Sequence, residues 1–337
     1  MIEGICEKQD CTVTTTGRCV LSHPTPVECP HFKPASPAGA ALEADSDAVQ
    51  EPKATSQTAR KFHSGDELGT LDAPEIMQAR YAHLIGILGS TDAGKTCFLS
   101  SLYLMASSGK LPSSYQFAGS LTLQAFEDRA RGLRRWPEGS LPSQLVDHTV
   151  LRDKRQPSLL HLAMRQTKDE RRRFDLLLTD LPGEWTDRLA LRASNADSFR
   201  FLRRADGIVI VVDGKLLISD QRHVEVQRMR YCAERIANDV KVAPDTPFVI
   251  LVSKSDEIGM QMPPAADELR QHVQGLGFRA TTILSAAISR TPNEVANGTG
   301  VFSAIETILS YSAPAPVLPP HEPERYPASR TFQGFRE

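Results

Sequence analysis

Residues 81–96 read YAHLIGILGSTDAGKT, and CFLSSLYLMA follows from Cys97 to Ala106. The stretch Tyr81 to Leu88 is an apolar run of strand length, and Cys97 to Ala106 has an amphipathic helical pattern. Between them Gly89 to Thr96 spell GSTDAGKT, a complete G-x-x-x-x-G-K-[ST] spacing. Strand, glycine-rich loop and helix together make an anion cradle. Successive backbone N–H groups wrap phosphate oxygens, and the positive end of the helix dipole points at them. Gly89 and Gly94 permit the turn, while Ser90, Thr91, Asp92, Ala93 and Cys97 complete the cradle. Lys95 can reach the β- and γ-phosphates, and the Thr96 hydroxyl is placed to ligate Mg²⁺. A chance match in a strand-to-helix turn is the competing reading, and correct flanks on both sides weigh against it. The expected ligand is a nucleoside phosphate.

Outward from this loop, the chain of 337 residues has room for one large or two small domains. Its net charge of −2 supplies no global field to recruit nucleic acid or acidic membranes. No apolar stretch reaches the roughly 18 residues of a membrane span. The start, MIEGICEKQD, has neither the basic nor the apolar region of a signal peptide. A cytoplasmic protein without disulfides is the expectation.

Composition divides the chain into zones. Residues 1–33 form a Cys-rich polar head. Residues 34–75 are rich in Ala, Ser, Pro, Asp and Thr, a composition that reads as a flexible linker. Residues 313–337, APAPVLPPHEPERYPASRTFQGFRE, form a Pro-rich tail expected to be disordered. The folded body is residues 76–312. Within it SLLHLAM (158–164) and RFDLLLTD (173–180) read as a hairpin. The β-branched runs DGIVIVVDG (206–214), TPFVILVS (246–253) and TTILSA (281–286) read as buried parallel strands. Helical patterns separate them, at about 187–204, 220–239, 265–274 and 300–311. Alternation of this kind predicts an α/β fold, a three-layer, doubly wound, mostly parallel sheet with one antiparallel edge hairpin. An insertion at about 108–157 carries its own helical segment, 121–136.

Three further features sharpen the ligand. RFDLLLTD ends in Asp180, which opens DLPGE; an acidic residue there normally holds Mg²⁺, directly or through water. Three residues on, Gly183 can offer its N–H to a γ-phosphate, because a glycine backbone approaches without a clash. TPFVILVS runs into Ser253-Lys254-Ser255-Asp256, similar to an Asn/Thr-Lys-x-Asp guanine reader. A carboxylate at Asp256 accepts from both the ring N–H and the exocyclic amine of guanine, a donor pair that adenine lacks, while the Lys254 stem can pack along the base. Ser253 keeps a hydroxyl at the first position but has less reach than asparagine. A plain charged loop after a strand is the alternative. Finally, Ser285-Ala286 ends the last strand and is similar to the Ser-Ala element whose backbone contacts the guanine oxygen.

In this order, each at a strand end, the elements resemble the G domain of the translation-factor and Ras-related GTPase class, over about residues 80–312. The DLPGEW turn, the insertion and the Cys-rich head look like the bacterial double-GTPase families. That resemblance implies GTP/GDP and Mg²⁺ as ligands, Lys95 and Gly183 on the phosphates, and hydrolysis by in-line water attack, which Glu184 is expected to leave slow. Glu184 follows the glycine where related enzymes often have the glutamine that orients the water. A carboxylate can accept a proton but cannot donate to the phosphoryl group. The resemblance also implies a first-switch threonine on Mg²⁺; Thr149 is the best-placed candidate, an ordinary loop threonine the alternative.

Asp92 can steer the bridging oxygen, help hold a monovalent cation, or simply stabilise its turn. Arg188, Arg192, Arg200, Arg203 and Arg204 offer a basic helix face for an acidic protein partner, or an internal arginine finger. RARGLRRW (129–136) is basic with one aromatic, but the balanced total charge argues against nucleic acid. Cys6, Cys11, Cys19 and Cys29, with His31 as alternative ligand, can satisfy tetrahedral Zn²⁺ in a zinc-knuckle-like segment; free thiols are the rival. Cys97 and Cys232 read as small core residues. The functional expectation is a GTP-binding switch that senses protein partners through its switch regions, without a membrane. A scaffold that binds nucleotide without turnover, or an ATP-using P-loop enzyme, are the alternatives.

Overall fold

The computed structural model describes residues 4–6, 29, 31–34, 64–69, 72–79, 81–134, 157–168 and 173–311. The chain divides into two compact units, Met1–Arg60 and Lys61–Glu337. In the first, β1 (Gly4–Cys6) pairs antiparallel with β2 (Phe32–Pro34), and Cys6 lies opposite Phe32. Cys29 is buried and accepts the Phe32 N–H at 3.0 Å, whereas His31 is exposed. Cys11 and Cys19 lie outside the described residues. Among the described residues no group of three or more His, Cys, Asp or Glu is placed to hold a metal. The zinc expectation therefore keeps only its sequence basis.

The second unit is built on a seven-stranded sheet of order β4-β5-β6-β3-β7-β8-β9. Five strands run parallel: β3 (Ala82–Leu88), β6 (Arg173–Asp180), β7 (Gly207–Asp213), β8 (Pro247–Ser253) and β9 (Arg279–Leu284). Their side chains alternate between two cores, as strand geometry requires. Along β7, Ile208, Ile210 and Val212 face one helical layer, while Val209 and Val211 face the other. The first layer comprises α4 (Gly183–Leu191), the short α5 (Gly214–Leu217), α6 (Arg222–Arg235) and α7 (Pro264–Gly275). The second comprises α2 (Lys95–Ser107), α3 (Leu123–Arg134) and α8 (Val301–Tyr311). A sheet buried on both faces explains why these strands read as continuous apolar runs. The doubly wound α/β expectation holds.

Four details depart from the sequence reading. The insertion contributes a strand, β4 (Tyr115–Gly119), antiparallel to β5 (Ser158–Gln166), so β4 and not the β5–β6 hairpin forms the sheet edge. The helix expected over 187–204 begins earlier, at Gly183, and breaks at Arg192, whose backbone is extended; Ala193–Arg204 continues as 3₁₀ turns. Arg188 O accepts both the Arg192 N–H at 3.2 Å and the Asn195 side-chain amide at 2.7 Å, which caps the end of α4. A five-residue π segment, Ile236–Val240, ends α6. Lastly, part of the stretch expected as linker is packed into this unit. Leu68 and Leu159 exchange backbone hydrogen bonds of 3.0 and 2.8 Å. Leu68 and Ala73, the first residue of α1 (Ala73–Ala79), are buried with Ala82, Leu84 and Leu177.

The chain passes from β3 to β6 on one side and to β7 on the other, making the carboxyl end of β3 a topological switch point. Open α/β sheets bind their ligands at such a crevice. No described helix is long and apolar enough to cross a membrane.

Candidate nucleotide-binding site

The loop after β3 sits at that point, and its conformation is set by close packing. Gly89 has φ +151°, and a Cβ there would lie 2.3 Å from Val211 O, so only glycine fits beside β7. Its N–H donates to the buried Thr186 hydroxyl of α4 at 3.2 Å. Asp92 is exposed with φ 62°, a left-handed turn position that aspartate tolerates. Lys95 opens α2, and its Nζ donates to Gly89 O and Ser90 O, each at 2.8 Å. Burial pushes its ammonium below the usual lysine range, with Asp180, Asp187, Glu184 and Asp92 opposing. A buried cation held on two oxygen acceptors, facing a group of carboxylates, has the chemistry expected of a phosphate- and metal-binding pocket. Ser90 Oγ donates to Glu225 Oε1 of α6 at 2.6 Å, which joins the loop to the next helix layer.

Asp180 ends β6 and is 1 % exposed. Its Oδ2 accepts from Arg129 Nε at 2.6 Å, while Oδ1 is buried with no hydrogen-bond partner. An unsatisfied buried carboxylate oxygen at this place, with the Thr96 hydroxyl at the start of α2, fits a divalent cation. Gly183 begins α4 hard against the loop: a Cβ there would meet Thr91 Cα and N at 2.4 Å. Glu184 is exposed at the next position. Trp185 packs edge-on against Phe199, ring centroids 6.0 Å apart.

Across the sheet, the Ser253 hydroxyl contacts Ala93 O at 2.7 Å and Val212 O at 3.1 Å. Its short side chain suffices because the loop comes close: a Cβ on Gly94 would stand 3.6 Å from Ser253 Cβ. Lys254 lies in the left-handed region and its Nζ holds Asp213 Oδ2 at 2.5 Å, which fixes the lysine stem along the rim. Asp256 Oδ2 accepts from the Arg290 amide at 2.7 Å, while Oδ1 is buried and unpartnered. Ser285 accepts the Ser255 N–H at 3.1 Å and thereby binds the two base-side loops together. Ala286 requires a correction. Its N–H donates to Thr299 O at 3.0 Å and its carbonyl accepts from Gly298, so its amide is committed within the protein. Cys97 lies beside this rim, and burial pushes its thiol up to about 11, with Lys254 opposing. Cys232 is fully buried in the core, as expected, with its thiol pushed to about 12.

The site thus gathers Lys95, Thr96, Asp180, Gly183, Lys254 and Asp256 at the carboxyl ends of the strands, while Thr149 lies outside the described residues. A family profile described as Double-GTPase 2 matches residues 83–309. The chain belongs to the Double-GTPase 2 family. It is accordingly a G-domain protein of a GTP-binding family, and the match begins in β3 and ends in α8. Among the solved structures similar at low identity are two GTP-binding proteins. One is a GTP-binding protein from the hyperthermophilic archaeon Sulfolobus solfataricus in complex with GDP: 14% identity, TM-score 0.35, covering 72% of this chain and 56% of that one. The other is a nucleolar GTP-binding protein 1 from Plasmodium falciparum: 14% identity, TM-score 0.36, covering 68% of this chain and 86% of that one. The chain spans little more than half of the archaeal protein's length. No curated protein matches.

Sequence reading missed three members of the site. Asp187 is, after Asp180, the carboxylate that acts most strongly on Lys95. Thr186 and Glu225 hold the phosphate loop from α4 and α6. Their signal was present in one respect only: Thr186 and Asp187 directly follow DLPGEW. The arginines near 187–204, offered as a basic face or an internal finger, lie at the surface. Arg188, Arg192 and Arg200 are exposed, Arg203 donates to Val240 O and Arg204 to Ala82 O. Among the described residues, Arg129 reaches Asp180, and Arg228 reaches Glu225 at 3.3 Å and Asp187 at 3.7 Å.

Proposed function

We propose that this protein is a slow GTPase that works as a switch: GTP with Mg²⁺ orders α4 and its flanks for a protein partner, and hydrolysis releases them. The observation that carries the reading is the pairing of two buried, unpartnered carboxylate oxygens on one rim, Asp180 Oδ1 and Asp256 Oδ1. One suits a divalent cation beside the phosphates; the other suits a donor on the guanine edge. Lys95 would exchange its two carbonyl acceptors for phosphate oxygens. Mg²⁺ held by Thr96 and Asp180 would neutralise charge on those phosphates. Gly183 N–H, at the first turn of α4, would meet the γ-phosphate, and its contact with Thr91 makes α4 the element that senses it.

Hydrolysis is in-line attack of water on the γ-phosphorus, with the bond to the bridging oxygen breaking as the new P–O bond forms. Glu184 is exposed and can only accept, so it leaves the transferring phosphoryl group short of a donor and turnover slow. The exposed Leu191, Ile218 and Val224 near the ends of α4 and α6 supply apolar contact for the partner. Titration of GTP, GDP and ATP by calorimetry, followed by multiple-turnover phosphate release, tests this. A preference for guanine nucleotides with measurable slow turnover supports the switch. Tight guanine binding with no turnover points to a scaffold, and ATP preference overturns the reading.

A further inference from the structure

Among the described side chains, the insertion helix α3 reaches the site through Arg129. Arg129 is almost wholly enclosed, with its side chain 11% exposed. Its Nε donates to Asp180 Oδ2 at 2.6 Å, its Nη1 to Ala125 O at 2.8 Å, and its Nη2 to Glu67. Asp180, the carboxylate at the end of β6, is fully enclosed at its side chain. A buried carboxylate needs a counter-cation, and here the protein supplies one covalently. A divalent cation on the free Oδ1 would share this carboxylate with the guanidinium on Oδ2 and would repel it at close range. The two cations therefore compete for the charge of one carboxylate.

We propose that Arg129 is the resident cation of the metal-binding carboxylate, holding Asp180 until a divalent cation displaces it and α3 moves. The inference rests on the reading of Asp180 as a Mg²⁺ ligand. It makes Arg129 a positioning residue with a regulatory consequence. Metal loading frees the guanidinium, breaks the link between α3 and β6, and loosens the tie to Glu67, next to the Leu68–Leu159 bridge. Because α3 packs on α2 through the stacked Tyr103 and Phe126 rings, centroids 5.0 Å apart, the change passes along the helix that begins at Lys95. A ligand shifts such an equilibrium only through contacts that differ between the two states, and Asp180 is that contact. The device is absent from the motif pattern, since Arg129 lies 51 residues from Asp180.

Mn²⁺, visible by electron paramagnetic resonance, is the probe, added alone and with GDP to the full chain. Arg129→Ala should bind Mn²⁺ about tenfold or more tightly than wild type, the factor corresponding to one charge-assisted hydrogen bond. Arg129→Lys, which keeps the charge without the fork, should fall between. Asp180→Asn, which removes the shared carboxylate, should abolish the difference. Unchanged Mn²⁺ affinity in Arg129→Ala, with Asp180→Asn still impaired, would overturn the proposal and leave Arg129 a static ion pair. If Arg129→Ala does not fold, hydrogen exchange in the wild type decides. Amides of 123–134 should exchange faster with Mn²⁺ and GDP, and equal exchange overturns the proposal. Failure to bind GDP while the Mn²⁺-alone difference persists would instead count against the GTPase reading.

Discussion

Replacing Gly183 by alanine should separate nucleotide binding from hydrolysis. The methyl group would lie 2.4 Å from both Thr91 Cα and N and 2.6 Å from its hydroxyl, where ordinary contact begins at 3.4 Å. Two of those neighbours are backbone in a loop fixed by Gly89 against β7, so α4 must retreat by roughly 1 Å, a displacement of the size that costs about 10²-fold in rate at a reacting centre. Overpacking of this kind costs about 1–3 kcal/mol. For a domain of this size that lowers Tm by about 2–4 °C per kcal/mol. GDP makes no use of the γ-phosphate contact, and its affinity should change by less than about threefold, the spread of surface-level effects. Single-turnover phosphate release, calorimetry with GDP and a melting curve measure the three quantities. Hydrolysis and Tm both equal to wild type would refute the claim that α4 senses the γ-phosphate through this contact.

Glu225→Gln tests the buried bond to the phosphate loop. Burial raises the Glu225 carboxyl, with Asp187 and Asp213 adding and Ser90 and Arg228 opposing. A raised acid contributes stability fully present below its ordinary value of 4.5, and that contribution is lost as pH rises through the folded value. Glutamine does not ionise and its carbonyl still accepts from Ser90, so the Tm difference, variant minus wild type, should widen from about pH 5 to about pH 8 in a melting series; a constant gap contradicts the assignment. Glu184→Gln replaces an exposed acceptor with a group that can donate to the phosphoryl oxygens. Phosphate release should stay equal or rise, by up to about tenfold. Slower release would show that the carboxylate itself assists the water.

Local spacing carried most of the fold and the ligand-facing half of the site. GSTDAGKT, DLPGE and SKSD announce backbone conformations within a few residues of themselves, and the apolar runs beside them report burial on both faces. What the sequence hid depends on distant partners. Ser253 meets Ala93 across 160 residues, and the shortness of its side chain is compensated by the approach of the loop, a property of packing and not of residue type. Arg129 read as part of a basic run because nothing local distinguishes a guanidinium bound for Asp180 from one bound for solvent. Leu68, one apolar residue in a polar stretch, has no periodicity to mark it, yet it bridges to β5. The break at Arg192 escaped because nothing local in LRASN marks the extended backbone that Arg192 adopts. Ala286 shows the converse, a motif position whose amide is already committed to Thr299.

The central claim, a guanine site read by Asp256, is tested most directly by titrating GTP, XTP and ATP against wild type and Asp256→Asn. The free Oδ1 and the anchored Oδ2 together offer two charge-assisted bonds, each worth about 1.5–3 kcal/mol; asparagine removes the charge and turns one acceptor into a donor, so GTP should bind at least about a hundredfold more weakly. Xanthine, with a carbonyl in place of the exocyclic amine, should bind the variant better than the wild type. Undiminished GTP affinity in Asp256→Asn, or ATP bound by the wild type as tightly as GTP, would contradict the account.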